Sequence, residues 1–131
     1  MCNAFPLHMG GTHVDQAPII PLLEAIELFK CSTPMFQSKF DYAILVLVAG
    51  AERRSEDCTM TQIQRRLGVS YPTARRAIQR LVDVKIVKIS SSQEDSRSTC
   101  LVFTENGRQK FGQFADQVSL EFTRLKPVLS A

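Results

Sequence analysis

The chain has 131 residues, the length of one ordinary domain, and its 44% hydrophobic and 22% charged residues can build a core, which argues against disorder. No stretch approaches the ~18–20 consecutive apolar residues of a membrane span. The opening Met1-Cys-Asn-Ala-Phe-Pro-Leu-His8 lacks the basic start and long apolar centre of a secretion signal, so a soluble, cytoplasmic protein with no membrane partner is expected.

The net charge of +3 is unevenly spread: from Arg53 to Lys88 nine Lys and Arg face three acidic residues, a local +6 that leaves −3 elsewhere. Such a concentration is the footprint of a surface that meets a polyanion.

Residues 1–16 read as a mobile leader with Pro and Gly, and residues 17–131 as a single domain. Within it, Ile19, Leu22, Leu23, Ile26 and Phe29 recur at helical spacing over 17–30, opened by Pro18 or Pro21 and closed by Cys31-Ser-Thr-Pro34. A second helix is expected from about Phe36 to Ala51. Its stripe of Phe40, Ala43, Ile44, Leu47 and Val48, widened by Leu45 and Val46, is apolar nearly all round, as in an enclosed central helix.

Two shorter helices follow. Thr61 is placed as the N-cap of the first, with Ile63 and Leu67 four apart on one face. Gly68 can close it in the left-handed conformation, and Val69 plugs the gap behind. Ser70 restarts the chain as the next N-cap, and Pro72 falls in the first turn, where its missing N–H is harmless. Ala74, Ala77, Ile78 and Leu81 then mark a buried face. Opposite it stand Tyr71, Thr73, Arg75, Arg76, Gln79 and Arg80, a dense set of donors for phosphates and guanine edges.

Next, Lys85–Ile89 and Thr99–Phe103 read as two strands joined by the polar loop Ser90–Arg97. Thr104 caps a last helix whose Phe111, Phe114, Val118, Phe122 and Leu125 lie at three-and-four spacing. The expected fold is therefore mainly α with a small β-hairpin wing.

Catalysis and metal binding find no support in these residues. The chain has no Gly-rich phosphate loop, no Gly-x-Ser-x-Gly and no His-Glu-x-x-His, and both histidines, His8 and His13, lie in the leader. Cys2, Cys31, Cys58 and Cys100 are scattered without a zinc-ligand spacing, so neither a metal nor another cofactor is expected.

The order of these motifs resembles the MarR-type winged helix-turn-helix transcription regulators. The resemblance rests on Thr-x-Ile-x-x-x-Leu-Gly-Val-Ser at 61–70, Pro-Thr-Ala-Arg-Arg-Ala-Ile-x-x-Leu at 72–81, Asp95-x-Arg97, and Leu-x-Phe-Thr-x-x-Gly at 101–107, and it covers roughly 36–125. The sequence departs from that family by Lys85, where glycine is usual, and by a serine-rich wing with one arginine near its tip.

The resemblance implies a DNA-binding core at 36–103 and dimerisation helices at 17–30 and 104–126. Leu22, Leu23, Ile26 and Phe29 would pair there with Phe114, Val118, Phe122 and Leu125, faces that one small domain leaves with little else to cover. A homodimer would present two recognition helices to a pseudo-palindromic double-stranded site, as a repressor does. In that setting Ser70, Tyr71, Thr73, Arg75, Arg76, Gln79 and Arg80 face the major groove and Arg97 the minor groove, with Asp95 organising the wing. Thr61 and Gln62, at a helix N-terminus, would hold a phosphate.

Family members also sense oxidants through a cysteine or bind small effectors. Cys31 is the nearest candidate but is read as an inert thiol, since no neighbouring base activates it, and no residue marks an effector cleft. The rival reading is a winged-helix adaptor or antirepressor that holds other proteins through the same surface, for which more exposed aromatic and aliphatic anchors would be expected.

Overall fold

The most apolar helix of the sequence organises the core. The computed structural model describes residues 16–91 and 98–129, and within them α2 (Asp41–Arg53) buries Ile44, Leu45, Val48 and Ala51. Ile44, Leu45 and Val48, almost wholly withdrawn from water, each contribute about 1.5–3 kcal/mol. Val46 is 40% exposed, so the helix is buried on one broad face and open on the other.

α2 begins five residues later than the expected Phe36. Phe36 instead sits in the preceding turn, where its ring meets Tyr42 and Phe114 edge-on, with centroids 5.5 and 4.9 Å away. The turn is fixed by the Asp41 carboxylate, which accepts the backbone N–H groups of Gln37 and Ser38, both at 2.8 Å. Burial of an aromatic ring against a distant helix outweighs the local periodicity that places Phe36 within α2.

Before α2, a single 3-10 turn (Ala17–Ile19) leads into α1 (Ile20–Ser32), with Pro21 in its first turn. α1 lies along α5 (Glu105–Leu129) and has no fully buried residue. The second layer is α3 (Met60–Leu67) and α4 (Tyr71–Asp83), joined by Gly68 at φ 68°. Ile63, Ile78 and Leu81 from these helices complete the core with α2.

A two-stranded antiparallel hairpin follows, β1 (Val87–Ser91) against β2 (Thr99–Phe103), with Val87 opposite Phe103 and Ser91 opposite Thr99. β1 starts two residues after the expected Lys85, because Lys85 is itself in the left-handed conformation (φ 63°) and turns the chain into the strand. On the far side of β2 the loop before α3 adds one more bridge: Thr59 pairs with Cys100, and Leu101 N–H donates to the Cys58 carbonyl at 2.8 Å.

Thr104 then caps α5, its hydroxyl accepting Gly107 N–H at 2.9 Å and donating to the Lys85 carbonyl at 2.6 Å. That knot ties the hairpin's two ends to the start of the long helix. The architecture is the expected one, mainly helical with a β-hairpin wing. No helix of the described residues is long and apolar enough to cross a membrane.

Candidate nucleic-acid interface

The two helices of the reading unit are held by caps at each start. α3 is capped by Thr59, not by Thr61 as the sequence suggests: Thr59 Oγ1 accepts Gln62 N–H at 3.1 Å, and the Gln62 side-chain oxygen accepts Thr59 N–H at 3.0 Å. This reciprocal box satisfies two otherwise orphan donors, and the bridge from Thr59 to Cys100 fixes its position against the wing. Thr61 is left exposed on the first turn, and Gln62 is engaged with the cap.

At α4, Ser70 is the N-cap, accepting Thr73 N–H at 3.3 Å, and its hydroxyl also bonds the Thr73 hydroxyl at 3.0 Å. Pro72 sits in the first turn as the sequence requires. Ala74, Ala77, Ile78 and Leu81 all face the core, which fixes the rotation of the helix about its axis.

The opposite side is therefore determined. Tyr71, Arg75, Arg76 and Gln79 are exposed and Thr73 is half-buried. Arg75 and Arg76 have no acidic partner among the described residues, whereas Gln79 donates to Asp83 Oδ1 at 2.9 Å. Two unneutralised guanidinium groups on the early turns of a capped, outward-facing helix form an anion-seeking surface.

Arg80 departs from that set. It is half-buried, and its guanidinium is ion-paired with the carboxylate of Asp41, a residue with 0% exposure. Helical spacing alone groups Arg80 with Arg76; the partner lies 39 positions upstream and shows only in three dimensions. Around the same surface, Arg65 and Arg66 in the last turn of α3 are exposed, and sequence reasoning passed over both. Asp95 and Arg97 lie outside the described residues.

Beneath the wing, Cys58 and Cys100 are both buried. The Cys58 thiol is pushed up from 9.0 to about 11, first by burial and then by the neighbouring Cys100, with Arg54 pulling weakly the other way. Cys100 is also raised, by burial and by Asp57. Cys31 is exposed on α1, where its thiol donates to Glu27 Oε2 at 3.7 Å.

The eight residues expected at a dimer face fall into three groups. Phe114 and Leu125 are buried within the chain, Phe114 in a ring cluster with Phe36, Tyr42 and Phe111. Leu22, Ile26, Phe29 and Val118 are half-buried, whereas Leu23 and Phe122 are exposed. Leu28 and Leu120, absent from the sequence expectation, are the most exposed large apolar side chains of α1 and α5 among the described residues, at 68% and 72%. An open cleft of about 750 Å³ also lies between the α1–α2 turn and the first half of α5, lined in part by Thr33, Met35, Asn106, Lys110 and Gln113.

Comparison with known proteins agrees with this geometry. A MarR family model matches residues 38–98, from the turn before α2 to the end of the wing loop. Among solved structures, RV1404 from Mycobacterium tuberculosis superposes with a TM-score of 0.66 at 16% identity, over 83% of this chain and 71% of that one. The transcriptional repressor CouR bound to a 23-mer DNA duplex gives a TM-score of 0.58 at 19% identity, over 90% of this chain and 88% of the other. CouR from Rhodococcus jostii RHA1 bound to p-coumaroyl-CoA gives 0.58 at 18%, over 79% and 68%. No curated protein matches the sequence significantly. The MarR family model thus matches the helix-turn-helix of this chain and the first strand of its wing, and the solved structures share the winged-helix fold.

Proposed function

We propose that the chain is a sequence-specific regulator of transcription that binds double-stranded DNA through α4 as a homodimer. The observation that carries this is the pair Arg75 and Arg76, exposed and unneutralised on a helix whose other face is locked into the core. α4 enters the major groove, with the two arginines divided between base edges and phosphates and with Tyr71 and Thr73 adding polar or thymine-methyl contacts. Thr61, at the exposed start of α3, is suited to a phosphate, and Arg65 and Arg66 add positive charge beside it. The wing tip, with Arg97, reaches toward the minor groove and Asp95 organises it.

Dimerisation supplies the second recognition helix. Leu23, Leu28, Leu120 and Phe122 leave apolar surface on α1 and α5 that the chain itself does not cover, and a two-fold partner would cover it. The operator is then a pseudo-palindrome with half-site centres about 34–36 Å apart. The DNA-bound neighbour CouR is a repressor, and the same output is proposed here, exerted in the cytoplasm. The cleft beside Thr33 and Lys110 has room for a small effector.

The test is binding of the purified chain to its own upstream DNA against a scrambled duplex, across a salt series, with the dimer state recorded. Tight, sequence-dependent binding by a dimer is expected. Replacing Arg76 by alanine should weaken the matched duplex by about 1–3 kcal/mol and relax one position if it reads a base, or weaken all sequences alike if it holds a phosphate. Equal, weak binding to both duplexes that modest salt abolishes would overturn the assignment and leave a protein-interaction module in its place.

A further inference from the structure

We propose that Arg80 is a positioning residue rather than a DNA contact: its ion pair with Asp41 fixes α4 against the turn joining α1 to α2, and thereby sets how Arg75 and Arg76 meet DNA. The inference rests on the DNA-binding reading and assigns Arg80 a different part in it from the one its helical spacing suggests.

The Asp41 carboxylate is fully buried and well supplied with donors. Oδ2 accepts the backbone N–H groups of Gln37 and Ser38, Oδ1 accepts the Ser38 hydroxyl at 2.8 Å, and the Arg80 guanidinium closes the set. On the other side of the pair, Nε and Nη2 of Arg80 are withdrawn from solvent and make no hydrogen bond, so the charge of Asp41 is what offsets their burial. For Arg80 to reach a phosphate it would have to leave a charged carboxylate unpaired in the protein interior, where removal of one partner of a buried pair is strongly unfavourable.

The neighbour one turn earlier makes the contrast. Arg76 and Arg80 stand four apart on the same side of α4, yet Arg76 is exposed and Arg80 is folded inward. The presence of Asp41, not the helix face, decides. The buried side of α4 carries Ala74, Ala77, Ile78 and Leu81, and the charge pair adds to these apolar contacts a tie from one point of the helix to a carboxylate already held by Gln37 and Ser38. The same carboxylate shapes the turn at residues 37–38, so the turn that leads out of α1 and the recognition helix share one anchor.

The first measurement uses the unaltered full chain. The Arg80 side-chain Nε–H resonance, identified by its loss in Arg80→Lys, should stay in place when the upstream duplex is added, while those of Arg75 and Arg76 shift. Binding of variants to matched and scrambled duplexes follows. Asp41→Asn and Arg80→Gln should each lower the matched-to-scrambled affinity ratio about tenfold. Their combination should lower it no further than either alone, with an unchanged salt slope and partial recovery in Arg80→Lys. Should either single variant fail to fold, the combined Asp41→Leu, Arg80→Met chain, which removes both charges, should fold and bind scrambled DNA normally yet lose the ratio.

The proposal is overturned if the Arg80 resonance shifts on DNA. It is equally overturned if Arg80→Gln weakens both duplexes alike with a salt slope reduced by about 1 while Asp41→Asn binds normally, since those are the marks of a phosphate contact. Either result leaves the DNA-binding reading intact. An unaltered chain that prefers no duplex would remove both.

Discussion

A Cβ placed on Gly107 would stand 1.9 Å from the carbonyl oxygen of Ile86, so the start of α5 and the entry to the wing approach as closely as only glycine allows. The obstructing atom is backbone and is itself held, because the Ile86 carbonyl accepts Thr104 N–H at 3.0 Å. Gly107→Ala should therefore destabilise the fold by about 2–4 kcal/mol, since neither side can yield without breaking that hydrogen bond. Urea unfolding of the two proteins checks this, and an unchanged midpoint would show that the wing and α5 separate freely.

At Lys85 the opposite substitution should help. The residue holds φ 63°, a region disfavoured for a side chain with a Cβ, and its carbonyl must stay in place to accept the Thr104 hydroxyl. Lys85→Gly removes the steric penalty of about 1–2 kcal/mol but loosens the unfolded chain, leaving a net gain of about 0.5–1 kcal/mol. A rise in thermal midpoint is expected, and a fall would mean that the Lys85 side chain contributes a contact worth more than the strain.

The two neighbouring threonines of α3 should differ sharply. Thr59→Ala opens the capping box and should lose about 1 kcal/mol, whereas Thr61→Ala, on an exposed first-turn position with no cap role, should change stability by less than about 0.5 kcal/mol. Denaturant titration of both variants decides between Thr59 and Thr61 as the structural cap. Thr61→Ala can still weaken DNA binding if its hydroxyl meets a phosphate.

Cys58 sets a pH signature. Its folded value, about 11, lies above the ordinary 9.0 because burial disfavours the thiolate. A thiol raised on folding contributes its full share of stability below about pH 9 and loses it as pH climbs through the folded value, because the unfolded chain releases its proton first. Stability should accordingly decline between pH 9 and 11 and decline less in Cys58→Ala. At neutral pH the thiolate fraction of Cys58 is reduced about a hundredfold, so iodoacetamide followed by peptide mapping should label exposed Cys31 well before Cys58. Equal labelling would show that the wing base opens readily.

These residues also show what the sequence could and could not reveal. Gly68, Ser70 and Pro72 carry their backbone preferences with them, and the buried alternation of α4 is a local spacing, so the helix-turn-helix and the direction of its exposed face can be read without coordinates. The true cap of α3 was legible too, since Thr59 and Gln62 stand at capping-box spacing, but Thr61 offers the same hydroxyl two residues later. Other features depend on partners far along the chain. Phe36 leaves the expected helix for a ring on α5, Phe114 turns inward from an expected dimer face, and Arg80 leaves the expected DNA face for Asp41. No local pattern distinguishes an arginine whose carboxylate lies 39 residues away from one that faces water.

The bridge between Thr59 and Cys100 gives the wing a property of its own. β2 is flanked on both sides, by β1 along its length and by the loop before α3 at Cys100 and Leu101, so it offers little free backbone to a second chain. Among the described residues the open edge belongs to β1, five residues long and carrying Lys88 between Val87 and Ile89. A short edge that carries a lysine on its second residue is a poor template for edge-to-edge growth. The hairpin is thus guarded against seeding β-aggregates when the protein is concentrated.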